Sequence, residues 1–353
     1  MSGIKASSLL LGAIIGVLSF GIVFSTNAAA ASTTGSVLTT SPVAVDLSTN
    51  PGKTVSTTLQ VQNNSPKSET IGVRLEKFKV QGEHGQAAIY TPSATDTSTT
   101  WVHFSKNSFV AEPGIWTNVT MTINVPPYAA LGYYYAVLFV PNITVSASTD
   151  SNTVKGANAV LVLLDTNSKN EQKQLRIASF TSQKSLYEFL PANFTVSAQN
   201  SGNIHLIPQG DIFISRTKNG KTIASLPINS GQGNVLPDST RQFNVQWADG
   251  FPVFQFKRIN GQIVSDKKGN PIQQLQWNFS SSLSKIRFGK YYAHLALVYS
   301  NGNEDIPVDG YVSFWVVPYK LITLIVLAVA AVIVLWKFIK KLIRKLWKII
   351  RRK

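Results

Sequence analysis

Residues 118–125 read NVTMTINV, with Val119, Met121, Ile123 and Val125 alternating with Asn118, Thr120, Thr122 and Asn124. Successive side chains of a strand point to opposite faces, so this run makes one apolar and one polar face, a half-buried strand. Val55, Thr57, Leu59 and Val61 alternate in the same way with Ser56, Thr58, Gln60 and Gln62. Ile71, Val73 and Leu75 keep one phase and Phe78 and Val80 take the other, which predicts a β-bulge near Glu76 and Lys77. Residues 133–140 and 159–164 are continuously apolar, as expected of strands covered on both faces or central in a sandwich. Asn50-Pro51-Gly52, Pro113-Gly114 and Pro126-Pro127 supply the turns between them, and the Ser/Thr-rich residues 91–100 read as an exposed loop.

The polar stretch 166–173, TNSKNEQK, interrupts this pattern and marks a domain boundary. Strands resume at residues 175–180 and 194–198, and Phe243, Val245 and Trp247 again alternate with Gln242, Asn244 and Gln246. Three Asn-Gly pairs, Asn219-Gly220, Asn260-Gly261 and Asn301-Gly302, adjoin strand-like runs and predict two-residue hairpin turns with positive φ at both positions. Many short strands with regular turns give an all-β chain. The expectation is two tandem immunoglobulin-like β-sandwiches, over residues 32–166 and 173–317.

Both ends of the chain are different. Residues 321–336, LITLIVLAVAAVIVLW, carry no charge, and flanking apolar residues extend them to a transmembrane helix over 318–339. Pro318 suits a first helical turn, and Trp315, Tyr319 and Trp336 sit where interfacial aromatics belong. Residues 340–353 continue as a basic amphipathic tail. Lys337, Lys340, Lys341, Arg344, Lys345, Lys348, Arg351 and Arg352 recur on one helical face, opposite Ile339, Leu342, Ile343, Leu346, Trp347 and Ile350. Such a helix lies on an anionic leaflet, and its charge keeps it cytoplasmic, which places everything before the span outside the cell. At the N-terminus Lys5, the apolar run 9–24 and Ala28–Ala31 read as a signal peptide over residues 1–31, with an uncleaved anchor as the alternative.

The net charge of +16 divides unevenly, because the tail from Lys337 holds nine basic residues and no acid. The high charge therefore gives no case for nucleic-acid binding, which needs a basic patch on a folded domain. There is no cysteine, so an exported chain must rely on its hydrophobic cores, and thiol catalysis and Cys-ligated zinc are excluded.

Little in the sequence points to catalysis or to a cofactor. Gly52-Lys53-Thr54 and Gly220-Lys221-Thr222 lack the earlier glycine of a P-loop and open strands, so they are turns. Leu236-Pro237-Asp238-Ser239-Thr240 is a loop. His84, His103, His205 and His294 have no ligand spacing. Glu304, Asp305 and Asp309 form the one local acidic cluster, either a solvated hairpin loop or a calcium site.

Aromatic residues are the better lead. Trp101, Trp116, Tyr128, Tyr133, Tyr134 and Tyr135 crowd the second half of the first domain. They serve either as sandwich core and cross-strand pairs or as a ligand-facing patch.

Ser41-Pro42-Val43, Asn50-Pro51-Gly52-Lys53-Thr54, Val61-Gln62-Asn63-Asn64 and Val125-Pro126-Pro127-Tyr128-Ala129-Ala130-Leu131-Gly132-Tyr133-Tyr134 carry a family likeness. Through them the first domain resembles the peptidoglycan-binding-type domain of the membrane-anchored WxL-interacting surface proteins of Gram-positive bacteria. The plan of signal peptide, two β domains, one span and a basic tail is similar too. The resemblance implies binding to a cell-wall polymer or a surface protein, without catalysis. The second domain departs more from that family. Two other classes remain open: an extracellular carbohydrate-active or hydrolytic enzyme, and an accessory subunit of a membrane complex.

Overall fold

The computed structural model describes residues 38–141, 157–277, 285–302 and 304–350, so the expected signal segment lies outside them. The first half forms ten strands: β1 (Leu38–Ser41), β2 (Ala44–Ser48), β3 (Thr54–Asn63), β4 (Glu69–Gln81), β5 (Gln86–Tyr90), β6 (Val102–Phe104), β7 (Ser108–Ala111), β8 (Trp116–Asn124), β9 (Tyr133–Pro141) and β10 (Asn158–Asp165). The second half follows with β11 (Leu175–Ser182), β12 (Leu186–Tyr187), β13 (Ala192–Asn200), β14 (Gln209–Ser215), β15 (Thr222–Ile228), β16 (Thr240–Trp247), β17 (Val253–Phe256), β18 (Arg258–Ile259), β19 (Gln262–Ile263), β20 (Gln273–Gln276), β21 (Gly289–Ser300) and β22 (Asp305–Val316). One helix, α1 (Tyr319–Ile350), ends the described chain.

The two halves repeat one strand plan. In the first, sheet β1-β3-β8-β6 faces sheet β2-β10-β9-β4-β5, with β7 also on β4; in the second, sheet β11-β13-β16 faces sheet β12-β22-β21-β14-β15. Each sandwich splits its opening strand between its sheets, and the later piece pairs parallel with the last strand, β2 with β10 and β12 with β22. A buried asparagine ends the third strand of the first sandwich and its counterpart in the second. Asn63 accepts from Ser65 N–H and donates to the carbonyls of Lys67 and Ala111; Asn200 accepts from Gly202 N–H and donates to those of Ile204 and Val235. Each amide satisfies backbone groups of the loops around the end of its strand.

Alternation decides which side chains fill the cores. Leu59, Val61, Val119, Met121 and Ile123 face Val137, Phe139, Val160 and Val162 in the first. Phe194, Trp247, Tyr291 and Phe314 meet in the second, with the Trp247 and Tyr291 rings 5.1 Å apart and Phe194 and Phe314 5.3 Å apart. These edge-to-face contacts add to the area that the rings bury.

Four expectations change. β4 has no bulge: Glu76 pairs with Ala136 and Lys77 with Tyr135 in unbroken register. The phase change instead marks a strand buried on two faces. Its first half turns Ile71 to the core, and its second half turns Phe78 outward to a separate cluster with Ala136, Leu163 and Leu236 of the second sandwich. Next, of the three Asn-Gly pairs only Asn260-Gly261 joins its strands as a two-residue turn with positive φ at both residues, 52° and 81°. Asn219-Gly220 sits in a longer loop closed by Gly220 N–H donating to Thr217 C=O, after a register shift at Ser215, and has neither φ positive. Asn301-Gly302 has positive φ at the glycine alone and belongs to a longer connection between Ser300 and Asp305. The Ser/Thr-rich loop, third, ends in a short 3-10 helix, Thr97–Trp101, capped by Asp96 and burying Ser98 and Trp101.

Finally, the span and the basic tail form one unbroken helix of 32 residues, about 48 Å long at 1.5 Å per residue. The stretch Tyr319–Lys341 is long and apolar enough to cross a membrane, and none of it is buried against the sandwiches. No break separates a span from a tail lying flat on the membrane. Lys320 ties the helix start to Glu188 of the second sandwich at 2.8 Å, and Thr323 satisfies its hydroxyl on the Tyr319 carbonyl.

Candidate functional site

Strand direction gives the first sandwich two distinct ends. β10 leaves at Asp165 toward the second sandwich, and Asp165 pairs with Ser48, so the ends of β3, β8 and β9 at Thr54, Asn124 and Tyr133 lie on that near side. The opposite end carries Asn63, the turn 112–115 and the start of β8. Three apolar side chains are open there: Val110 at 59 %, Ile115 at 58 % and Trp116 at 43 % of their full exposure. The turn that presents them is fixed. Ile115 N–H donates to Glu112 C=O at 3.3 Å, Gly114 N–H to Asn63 C=O at 2.8 Å, and Gln62 donates to Gly114 C=O at 2.7 Å. Single exposed apolar residues are ordinary, and these three share one end of the sandwich.

The six aromatic residues singled out in the sequence do not form one patch. Trp116 pairs with Gln62 at the far end, while Tyr128, 71 % exposed, follows the other end of β8. Trp101 and Tyr135 are buried in the first core, because alternation along β9 and the 3-10 turn direct them inward. Tyr133 lies edge-on to Trp101 at 4.7 Å, and Tyr128 closes over the same ring at 6.2 Å. Burial pushes the Tyr133 phenol above its usual range and lifts that of Tyr135 further, with the Tyr135 hydroxyl donating to Ser98 C=O at 3.1 Å. Beside them Lys77 binds Asp96 at 2.7 Å. Burial alone would raise the Asp96 pKa, but hydrogen bonds from Lys77 and Ser98 outweigh it and hold the carboxyl below its ordinary value.

Tyr134 leaves the patch altogether. It turns to the second sandwich, edge-on to Phe78 at 5.9 Å and to His205 at 5.8 Å, and burial pushes its phenol well above the usual range. His205 Nε2 lies 3.0 Å from Asp46, and its Nδ1 lies 3.5 Å from the Tyr134 hydroxyl. Gln242 N–H donates to Glu83 C=O at 2.7 Å, and the two side chains also bond. Together with Phe78, Ala136, Leu163 and Leu236 these contacts make a seam between the sandwiches. Nothing in the spacing of the histidines announced it. The signal was the change of phase along β4, which puts apolar residues on the face that a free sandwich would leave polar.

The acids do not converge. Asp305 and Asp309 lie four residues apart on β22, which separates them by about 13 Å along a strand, so the acidic run is spread out along a hairpin. Among the described residues no group of three His, Asp or Glu could hold a metal ion. His294 stacks on Tyr311 at 4.2 Å and lies 3.9 Å from Asp309. On the helix Lys337, Lys340, Lys341 and Arg344 are exposed. The side chains of Lys345 and Lys348, and all of Arg351 and Arg352, lie outside the described residues.

No protein-family model matches the sequence, and no curated protein matches it. Among solved structures the chain is similar to a class 5 fimbriae chaperone, CfaA, at 16 % identity over 68 % of this chain and 99 % of that one, with a TM-score of 0.35. It is also similar to the CupB2 chaperone of Pseudomonas aeruginosa, at 9 % identity over 77 % and 98 % of the two chains and a TM-score of 0.29. The E. coli chaperone DraB aligns at 9 % identity over 77 % and 96 %, again with a TM-score of 0.29.

Proposed function

We propose that the chain is a membrane-tethered, non-catalytic surface protein whose first sandwich binds a cell-envelope polymer or a surface protein. The observation that carries this reading is the open apolar tip, Val110, Ile115 and Trp116, at the end of the first sandwich farthest from the second. Helix α1 supplies the anchor, and the second sandwich, joined to it within a few residues and by Lys320–Glu188, stands between the bilayer and the first. The seam fixes the first sandwich on the second, so its tip is held clear of the membrane. Orientation follows the charge of the helix end, basic side inside.

This reading moves the contact surface from the six-residue aromatic patch to the far tip. Of that patch it retains Trp116 and leaves Tyr128 as a separate exposed ring. The resemblance of the first domain to the WxL-interacting family favours a wall polymer or a wall-associated protein as the partner. A tether also lowers the affinity required, because a ligand confined to the same surface is present at an effective concentration of about millimolar.

Detergent-solubilised full-length protein, mixed with purified cell wall and separately with a surface-protein extract, tests the proposal. The wild type should be retained by one of the two. Replacing Ile115→Ser together with Trp116→Ala should cost about tenfold in retention, the loss expected for truncating an aromatic anchor. Undiminished retention in that variant, or retention of neither kind by the wild type, would contradict it.

A further inference from the structure

The second sandwich carries an insertion that the first lacks. Between β16 and β21 the chain runs through residues 248–288, where the first sandwich, between β8 and β9, has only residues 125–132. Residues 253–276 of the insertion form a ribbon in which β17 pairs with β20 and β18 with β19.

Its root is at the anchor end. Gly289, which opens β21, pairs with Val316, the last strand residue before the helix begins at Tyr319. Tyr187 pairs with the same Val316, and nearby Leu190 receives the Phe254 N–H at 2.8 Å. Phe251 N–H donates to Lys285 C=O at 2.9 Å. The ribbon therefore leaves the sandwich beside the strand that becomes the helix.

Its composition does not suit a surface facing water. Phe256, Ile259, Ile263 and Ile272 are each at least 36 % exposed. Interleaved with them are Lys257, Arg258, Lys267 and Lys268, against one acid, Asp266. None of the four is in an ion pair among the described residues, although Arg258 donates to Gly261 C=O at 3.0 Å, and Asp266 is occupied by the backbone N–H groups of Lys268 and Asn270. By contrast, Lys285 and Arg287 at the root both bind Asp249 at 2.8 Å. Unpaired cations beside exposed large apolar side chains are the composition of an interfacial segment: the chains enter the headgroup boundary and the cations meet anionic lipid.

We propose that this ribbon is a second membrane contact, resting on an anionic lipid surface on the sandwich side of the bilayer. The inference rests on the tethered reading given above. With α1 it gives the second sandwich two separated points on the membrane, which sets the tilt of the whole stack. The far tip of the first sandwich stays the site for a different partner.

Because the chain has no cysteine, single labels report cleanly. Full-length protein is reconstituted into phosphatidylcholine vesicles containing phosphatidylglycerol and spin-labelled lipid, with a fluorophore on Ile259→Cys, Val329→Cys or Asn118→Cys. Both the Val329 label, in the helix, and the Ile259 label should be quenched, and the Asn118 label, on the first sandwich, should not. In Lys257→Gln/Arg258→Gln/Lys267→Gln/Lys268→Gln, quenching at Ile259 should fall to the Asn118 level while that at Val329 persists. Quenching at Ile259 no greater than at Asn118, with Val329 quenched, overturns the ribbon contact and leaves the tether standing. Full quenching in the four-charge variant overturns the role of the cations. Absence of quenching at Val329 overturns both the tether and the inference that rests on it.

Discussion

The two sandwiches share a strand order and an asparagine at the same place, yet they distribute their large side chains differently. The second gathers Phe194, Trp247, Tyr291 and Phe314 into one aromatic core next to the helix. In the first, an aliphatic core built on Leu59, Val61, Met121 and Ile123 takes in Trp101 and Tyr135, while Trp116 and Tyr128 stay exposed and Tyr134 goes to the seam. The sandwich next to the helix thus keeps its aromatics in packing, and the other uses part of them in contacts beyond its own core. The corresponding connections differ in length. The loop 125–132 of the first sandwich lies at its near end, and the ribbon that replaces it in the second lies at the end next to the helix.

If the cores are independent, they should break separately. Trp247→Ala should cost the second sandwich about 3–5 kcal/mol, and Met121→Ala the first about 2–5 kcal/mol, each moving one unfolding transition in a calorimetric scan of the full-length protein. A single transition that moves equally with either substitution would mean that the seam makes the pair one cooperative unit. Leu236→Ala probes the seam itself. It should cost about 2 kcal/mol, the low end for a small cluster, and loosen the hydrogen-exchange protection of Tyr134 and Ala136 while leaving Met121 and Trp247 protected.

Gly261 and Gly220 separate the two kinds of Asn-Gly loop. Gly261→Val forces a β-branched residue to a φ of 81° and should cost the ribbon about 1–2 kcal/mol, read as faster exchange at Ile259 and Gln262. Gly220→Val should cost less, since its φ is not positive and the nearest obstacle is the rotatable Thr217 hydroxyl. An equal effect at both would contradict the turn assignments.

The smallest effect expected is on acid stability. Asp96 in the first sandwich is held below its ordinary pKa of 3.8: burial opposes the shift, and the bonds from Lys77 and Ser98 prevail. Asp249 in the second is held down chiefly by Lys285, with Arg287 adding to it against the opposing effect of burial. A depressed folded pKa contributes stability that is complete above the unfolded value and is lost as the pH falls through the folded one. Asp96→Asn should therefore flatten the acid side of the first transition alone, and Asp249→Asn that of the second alone. A shift of the wrong transition, or of neither, would break the correspondence.

Much of this was legible in the sequence. The alternation at residues 118–125 and 55–62 gives the sheet faces directly, because one side chain in two meets the core. The uncharged run at 321–336 gives the helix. The seam was visible only as an apparent slip at Glu76, since a strand buried on two faces and a bulged strand leave the same pattern of apolar residues. The aromatic patch failed for a related reason: composition counts rings, and only pairing shows that Trp116 and Tyr128 sit at opposite ends of β8. Side-chain contacts such as Asp46–His205 join residues 159 apart in the chain, and no local rule reaches that far.

The central claim, that the far tip of the first sandwich stands outside the cell and against the envelope, is tested most directly by one labelling experiment. Full-length protein carrying Ile115→Cys, its sole cysteine, is expressed in cells and exposed to a membrane-impermeant maleimide, before and after enzymatic removal of the wall. The tip should label slowly in intact cells and rapidly once the wall is gone. Equal labelling in both states, or none in either, would contradict the claim.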